Sequence, residues 1–200
     1  FRERAALGET TMKQYAFTLP LLLWSCACID GDSSIYTTSG PELIKNCASG
    51  EIIYSYDLQT ETKVTNLISN VTRGFSLLRN LVVLSNGNIL KTTKDHPIFL
   101  VRTRSYILSE NLKPGDLVLL FKDGIFETNS IASKILQLRP RFVYNLSTTS
   151  SPKSFFANHI LVHNKPPPGM RISVTKGNSS GIVYSTNTTN AIIRLAIICD

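Results

Sequence analysis

Three short stretches of this chain hold side chains able to do covalent chemistry, and they lie far apart. The first, Cys28-Ile-Asp-Gly-Asp-Ser-Ser-Ile35, opens on a cysteine. The second, Gly87-Asn-Ile-Leu-Lys-Thr-Thr-Lys-Asp-His-Pro97, places Thr93 and His96 with two residues between them. The third, Phe155-Phe-Ala-Asn-His-Ile-Leu-Val-His-Asn164, ends on His163-Asn164. A thiol is strongly nucleophilic even when only a small fraction is ionised. An asparagine side chain can close onto its own backbone carbonyl. A nucleophile at one end of a domain and a cyclisable amide at the other is an odd arrangement for an ordinary enzyme. It makes sense for a domain that acts on its own two ends. Taken singly, His96 also fits a histidine at a turn before Pro97. His163-Asn164 also fits a polar strand end before a proline linker.

The elements between these stretches read as all-β. The segments are short and β-branched: Ile35-Tyr-Thr-Thr38, Glu51-Ile-Ile-Tyr-Ser-Tyr56, Leu81-Val-Val-Leu84, Pro97-Ile-Phe-Leu-Val101 and Asp116-Leu-Val-Leu-Leu-Phe121. Turn signals separate them at Ser39-Gly40, Ser49-Gly50, Asn86-Gly87, Pro114-Gly115 and Asp123-Gly124. Strands about five to six residues long with frequent turns predict a sandwich or barrel-like fold. Asn86-Gly87 between hydrophobic runs predicts a type I′ hairpin.

An internal echo adds symmetry. Lys45-Asn-Cys-Ala-Ser-Gly-Glu-Ile-Ile-Tyr-Ser-Tyr56 aligns with Glu110-Asn-Leu-Lys-Pro-Gly-Asp-Leu-Val-Leu-Leu-Phe121. Asn46 matches Asn111, Gly50 matches Gly115, and Glu51 matches Asp116. In each copy a glycine turn carries the chain into a hydrophobic strand. This predicts a duplicated β unit with approximate two-fold symmetry, against chance likeness between two β-turns. Cys47 falls at the apolar position of Leu112 and is expected in the core.

The flanks differ from this domain. Met12-Lys13 precede an apolar run ending Ser25-Cys-Ala27, too short to span a bilayer. The stretch 12–27 fits the h-region of a signal peptide, and equally a strand or linker entering the domain. The signal reading would make Met12 the start and the host protein secreted or cell-surface. After Asn164, Lys165-Pro-Pro-Pro-Gly169 favours extended backbone, and a Ser/Thr/Asn-rich tail follows. The division expected is therefore 1–27 as an N-terminal flank, 28–164 as the domain and 165–200 as a C-terminal flank. In an oxidising compartment Cys26 could pair with Cys28 in a strained disulfide.

Composition sets the outer bounds. The chain has 200 residues, 42 % apolar and 18 % charged, with a formal net charge of +7. That suffices for a core and argues against wholesale disorder. Four cysteines are too few for a disulfide scaffold. The positive balance permits contact with anionic partners, but there is no RNA-binding aromatic motif, zinc finger or helix-turn-helix, so nucleic-acid binding ranks last. The basic residues are scattered, with Arg102 and Arg104 expected on the solvent face of a strand. His159 and His163 with Cys28 would make a poor zinc set without a Cys-x-x-Cys partner. His159 is read as a packing or hydrogen-bonding residue. No metal and no cofactor is expected.

In order along the chain, the motifs resemble the Hint superfamily of inteins, bacterial intein-like domains and hedgehog autoprocessing domains. The matching features are Cys28…Gly31-Asp32, Gly40…Ile44…Gly50…Ser55-Tyr-Asp57, Thr93-Lys-Asp-His96, Leu112-Lys-Pro-Gly-Asp116, Val143-Tyr-Asn-Leu146 and Val162-His-Asn164. They span 28–164 nearly end to end, with no insertion long enough for a homing endonuclease. The resemblance implies a β horseshoe with pseudo-two-fold symmetry and single-turnover autocatalysis.

It also implies roles. Cys28 would attack the Ala27 carbonyl and turn the peptide bond into a thioester, helped by backbone distortion of roughly 1–3 kcal/mol. Thr93 would hold the scissile amide and His96 would donate a proton to the departing amine. Asn164 would cyclise to a succinimide and release Lys165, with His163 as proton acceptor or donor. The substrate would be the chain's own flanks, in a monomer, with water or a thiol as the acceptor of the thioester.

Three positions depart from the family pattern. Lys165 stands where splicing inteins carry Cys, Ser or Thr, and it cannot accept the acyl group. That moves the expectation from splicing toward cleavage at both ends. Asn145 replaces the Asp of the Val-Tyr-Asp-Leu segment and cannot act as a base. Lys153 stands at a family histidine. A hedgehog-like domain passing its thioester to an external nucleophile, and a catalytically silent secreted β module, are the rival readings.

Overall fold

The computed structural model describes residues 27–164 and, beyond them, strand residues 170–172 and 184–186. The signal-like stretch, the Cys26–Cys28 pairing and the Lys165 junction residue lie outside the described residues. Among the described residues the chain is all-β, and its helical content is one 3-10 turn, Ser109–Asn111.

Strands β1 (Ile29–Asp30), β2 (Ser34–Thr37), β3 (Gly40–Leu43), β4 (Ile52–Asp57), β5 (Thr62–Leu84), β6 (Ile89–Thr92), β7 (Pro97–Leu100), β8 (Ser105–Leu108), β9 (Leu117–Lys122), β10 (Ile125–Thr148), β11 (Ser154–Ala157) and β12 (Ile160–His163) form one antiparallel sheet. Two further strands, β13 (Met170–Ile172) and β14 (Tyr184–Thr186), pair with each other. The sheet bends round on itself through the long strands β5 and β10, which pair along most of their length.

Those two strands correct the expected element length. They hold 23 and 24 residues rather than five or six. Their middles alternate poorly because neither face there is packed on the core, so no period-2 pattern marks them. Register shifts at Ile131/Ser133, Leu138/Arg141 and Ser147/Thr148 let β10 curve.

The duplication is visible as matched turns. Gly50 and Gly115 take φ of +94° and +89°, a region glycine enters without steric cost. Gly50 N donates to Ile68 O at 2.9 Å and Gly115 N to Ile131 O at 2.8 Å. The return bonds run from Ile68 N to Glu51 O and from Ile131 N to Asp116 O, at 2.8 and 2.9 Å. Each turn then feeds a strand, β4 or β9, that pairs with a long strand, β5 or β10.

Two details differ from expectation. At the β5–β6 hairpin only Gly87, not Asn86, has positive φ, so the turn is not type I′. The I′ pattern of two left-handed residues occurs at Asp123-Gly124 and at Asn158-His159, which joins β11 to β12. Arg102 and Arg104 are exposed but lie in the turn between β7 and β8, with Arg104 paired to Glu61.

Ile29, Ile35, Ile53, Leu90, Ile98, Leu120, Phe155 and Val162 are fully buried in the main core. Cys47 belongs to that core, and burial pushes its thiol up to about 12. A second cluster joins Tyr56, Phe99, Phe121, Phe156 and Leu161.

Candidate functional site

Strand β1 is short and central. It lies between β10 and β6, with Ile29 paired to Tyr144 on one side and to Thr92 on the other. Ala27 and Cys28, which enter it, are both fully buried. Cys28 N–H belongs to the Ala27–Cys28 peptide, and it donates to Thr93 Oγ1 at 2.9 Å. Thr93 N–H donates back to Cys28 O at 2.9 Å. The Thr93 hydroxyl in turn lies 2.8 Å from Asp95 Oδ1, to which it donates, and 3.3 Å from Cys28 O. Asp95 thus fixes the hydroxyl's orientation, leaving its lone pair for the Cys28 amide.

A tight turn, closed by His96 N to Thr93 O at 3.3 Å, brings His96 back beside Thr93. His96 is fully buried and its carbonyl accepts from Ser109 N at 2.9 Å. Thr93 and His96 are therefore placed by one turn between β6 and β7.

Two polar groups lie next to Cys28. Asp30, two residues along β1, forms an ion pair with Arg79 of β5, and both side chains are almost completely buried. Asn145 is level with Cys28 when the Ile29–Tyr144 pairing is continued by one residue. Its Oδ1 is buried and accepts no hydrogen bond among the described residues.

At the other end, β12 runs between β11 and β7. His163 pairs with Ser154, and Asn164 N–H donates to Lys153 O at 2.9 Å. His163 Nδ1 contacts the Asn164 carbonyl oxygen. That oxygen can only accept, so Nδ1 carries the proton in this contact. Burial, with the nearby Lys153 charge, drives His163 down to about 4, against the opposing pull of the Asn164 carbonyl. The imidazole is therefore neutral around pH 7.

The β7–β12 pairing joins the two ends. Val162 faces Ile98. Continuing that register by two residues brings Asn164 level with His96. The five expected site residues thus fall into one neighbourhood: Cys28 on Thr93 by hydrogen bond, Thr93 on His96 through the turn, His96 against Asn164 by strand register, and His163 on Asn164.

His159 does not join them. Its Nδ1 is 2.6 Å from Tyr36 Oη and 3.2 Å from Phe121 O, so it pins the β11–β12 hairpin. It sits at the opposite end of β12 from His163, roughly 13 Å away at the usual strand rise. Asp95, and the Lys153 backbone that receives Asn164, were not singled out by sequence reasoning as functional. Asp95 was legible only as part of Thr93-Lys-Asp-His96.

No protein-family profile and no curated protein sequence matches the chain. Solved structures do. The crystal structure of the Ssp DnaB mini-intein variant M86 superposes with a TM-score of 0.63 at 20 % identity, covering 70 % of this chain and 94 % of that one. A DnaB intein from Synechocystis sp. PCC 6803 gives 0.63 at 23 % identity, over 70 % and 99 %. The bacterial intein-like domain from Clostridium thermocellum gives 0.61 at 22 % identity, over 69 % and 98 %. The chain has the Hint fold. The ring of antiparallel strands and the matched Gly50 and Gly115 turns are the pseudo-two-fold of that Hint fold. The site described above lies where its two chain ends enter and leave.

Proposed function

We propose that residues 28–164 are a self-processing Hint domain whose substrate is its own flanks, 1–27 and 165–200, cut at Ala27–Cys28 and Asn164–Lys165. The observation that carries this is the hydrogen bond from the Cys28 amide to Thr93 Oγ1, made inside a core that buries both Ala27 and Cys28. An ordinary strand entry has no need of a side-chain clamp on one peptide.

At the first junction Cys28 Sγ attacks the Ala27 carbonyl carbon. The C–N bond to Cys28 breaks, the thiol gives up its proton, and His96 delivers one to the departing nitrogen. Thr93 holds that nitrogen in place throughout. The thioester is then discharged to water or a small thiol, since Lys165 cannot receive it by transesterification.

At the second junction Asn164 Nδ2 attacks its own backbone carbonyl carbon. The bond to Lys165 breaks, Nδ2 loses one proton and the Lys165 nitrogen gains one, leaving a succinimide. His163 Nδ1–H donates to the oxygen of the carbonyl under attack, where negative charge develops. Its role is thus charge stabilisation at the carbonyl, with Nε2 left as the proton acceptor. The reaction is intramolecular and single-turnover, so a monomer suffices and neither cofactor nor nucleic acid takes part.

The test is a chain flanked by two folded tags. Cys28→Ala should abolish N-terminal cleavage alone, and Asn164→Ala C-terminal cleavage alone. Loss of both cuts in either variant would contradict the assignment. A succinimide at residue 164 separates this reading from a hedgehog-like route, which has no use for Asn164.

A further inference from the structure

His163 lies at the end of β12, and the strand alone does not fix its ring, which turns about two bonds. Tyr106 of β8 meets it edge-to-face, with ring centroids 4.7 Å apart and planes at 67°. Tyr106 is half-buried against the second core cluster, and its partial burial raises the pKa of its phenol. Ser154 is the residue paired with His163 across β11 and β12. Ser154 is itself fixed: Ser55 Oγ donates to Ser154 O at 2.6 Å, the two hydroxyl oxygens are 2.9 Å apart, and both residues are fully buried. On its other side Tyr106 packs on Phe99, its partner across β7 and β8, at 5.4 Å.

We propose that Tyr106 is a positioning residue for the C-terminal cleavage: backed by Phe99, its ring holds the His163 imidazole on the Asn164 carbonyl and shields it from water. The inference rests on the reading that His163 assists cleavage at Asn164–Lys165. Tyr106 touches none of the reacting atoms; it acts through His163. The titratable groups facing His163 are Tyr106 from β8, Lys153 ahead of β11 and, by register, His96 ahead of β7, and the charge that acts on the imidazole is that of Lys153. With the ring in place, the imidazole stays neutral and its Nδ1–H stays aimed. With the ring removed, water reaches the imidazole, protonation becomes easier and the aim is lost.

The experiment uses the full chain between folded tags, as Tyr106→Leu and Tyr106→Phe. Thiol-induced N-terminal cleavage and C-terminal cleavage are timed separately, the latter from about pH 4 to about pH 8. His163 is also titrated by NMR in a chain carrying Cys28→Ala and Asn164→Ala. Tyr106→Leu is expected to slow C-terminal cleavage about tenfold and raise the His163 titration midpoint by about one pH unit. Tyr106→Phe, which keeps the ring, should leave both close to wild type. N-terminal cleavage should stay within about twofold in both variants, which a general folding defect would not allow. An unchanged C-terminal rate and midpoint in Tyr106→Leu, or equal slowing at both junctions, overturns the proposal. If the wild-type chain does not cleave, the self-processing reading fails, while the NMR titration still decides whether Tyr106 governs His163.

Discussion

In the proposed mechanism the first junction depends most on Thr93. Its hydroxyl accepts from the Cys28 amide and donates to Asp95, so replacing it strands a buried N–H. An orphaned buried donor costs about 1–3 kcal/mol. Thr93→Val should therefore slow thiol-induced N-terminal cleavage at least about tenfold while leaving Asn164 cyclisation nearly intact, as read by gel densitometry of the two products. Thr93→Ser, which keeps the hydroxyl, should restore most of the rate. Asn145 gives an opposite expectation. It lies level with Cys28, and among the described residues its side-chain oxygen accepts no hydrogen bond. A carboxylate there can take the thiol proton, so Asn145→Asp should quicken N-terminal cleavage several-fold in single-turnover assays. Cys28, Thr93, His96, His163 and Asn164 stood out in the sequence because their chemistry restricts residue type and their order resembles that of Hint domains; the structure brings them into one neighbourhood, and their roles are those proposed above. Tyr106 and Asp95 were not, because their contribution is a contact made by folding. A tyrosine in a β-rich segment is otherwise an ordinary core residue.

At the scale of elements, the matched turns make a quantitative expectation. Gly50 and Gly115 share a left-handed backbone, and no atom lies within 4 Å of the position a Cβ would take at either. The cost of Gly→Ala is then conformational alone, about 1–2 kcal/mol at each position. Thermal unfolding of the two variants, in a chain made unreactive by Cys28→Ala and Asn164→Ala, should give equal losses. Unequal losses would mean the two halves are not equivalent. The glycine turns and the strands that follow them were readable because both local propensity and hydrophobic run agreed. Strands β5 and β10 were not. Their central residues, such as Ser69 and Asn70 on one and Arg139 and Arg141 on the other, are exposed. Pairing between the two strands, rather than burial, holds them extended, and pairing leaves no periodic mark. The Asn158-His159 turn was missed for a related reason: asparagine tolerates left-handed backbone, but histidine is no turn signal.

For the molecule as a whole, burying a neutral histidine couples folding to pH. His163 falls from 6.5 to about 4 on folding. The unfolded chain then binds more protons than the folded one between these values, so stability rises with pH across that window and is lost as pH falls through it. The full loss below the window is about 3 kcal/mol. His163→Gln should be less sensitive to acid: chemical denaturation at about pH 4.5 and at neutrality should differ less in the variant than in the unreactive parent. The net charge also acquires a place. No carboxylate occurs in 62–84 or in 128–164, so the excess of basic side chains is concentrated on β5, β10 and the segments that follow β10. Exposed Arg139 and Arg141 keep that part of the surface hydrated.

The central claim is that the fold brings its own two ends together in order to cut them, and the masses of the products test it most directly. The wild-type chain between two folded tags, purified and incubated in reducing buffer with and without added thiol, should yield fragments ending at Ala27 and at Asn164. The fragment ending at residue 164 should be lighter by one water than a hydrolytic product, as a succinimide requires, and the thiol should increase only the cut at Ala27–Cys28. An intact mass that stays unchanged over days, with Cys28 alkylated by iodoacetamide after unfolding and both junctions whole, would contradict it.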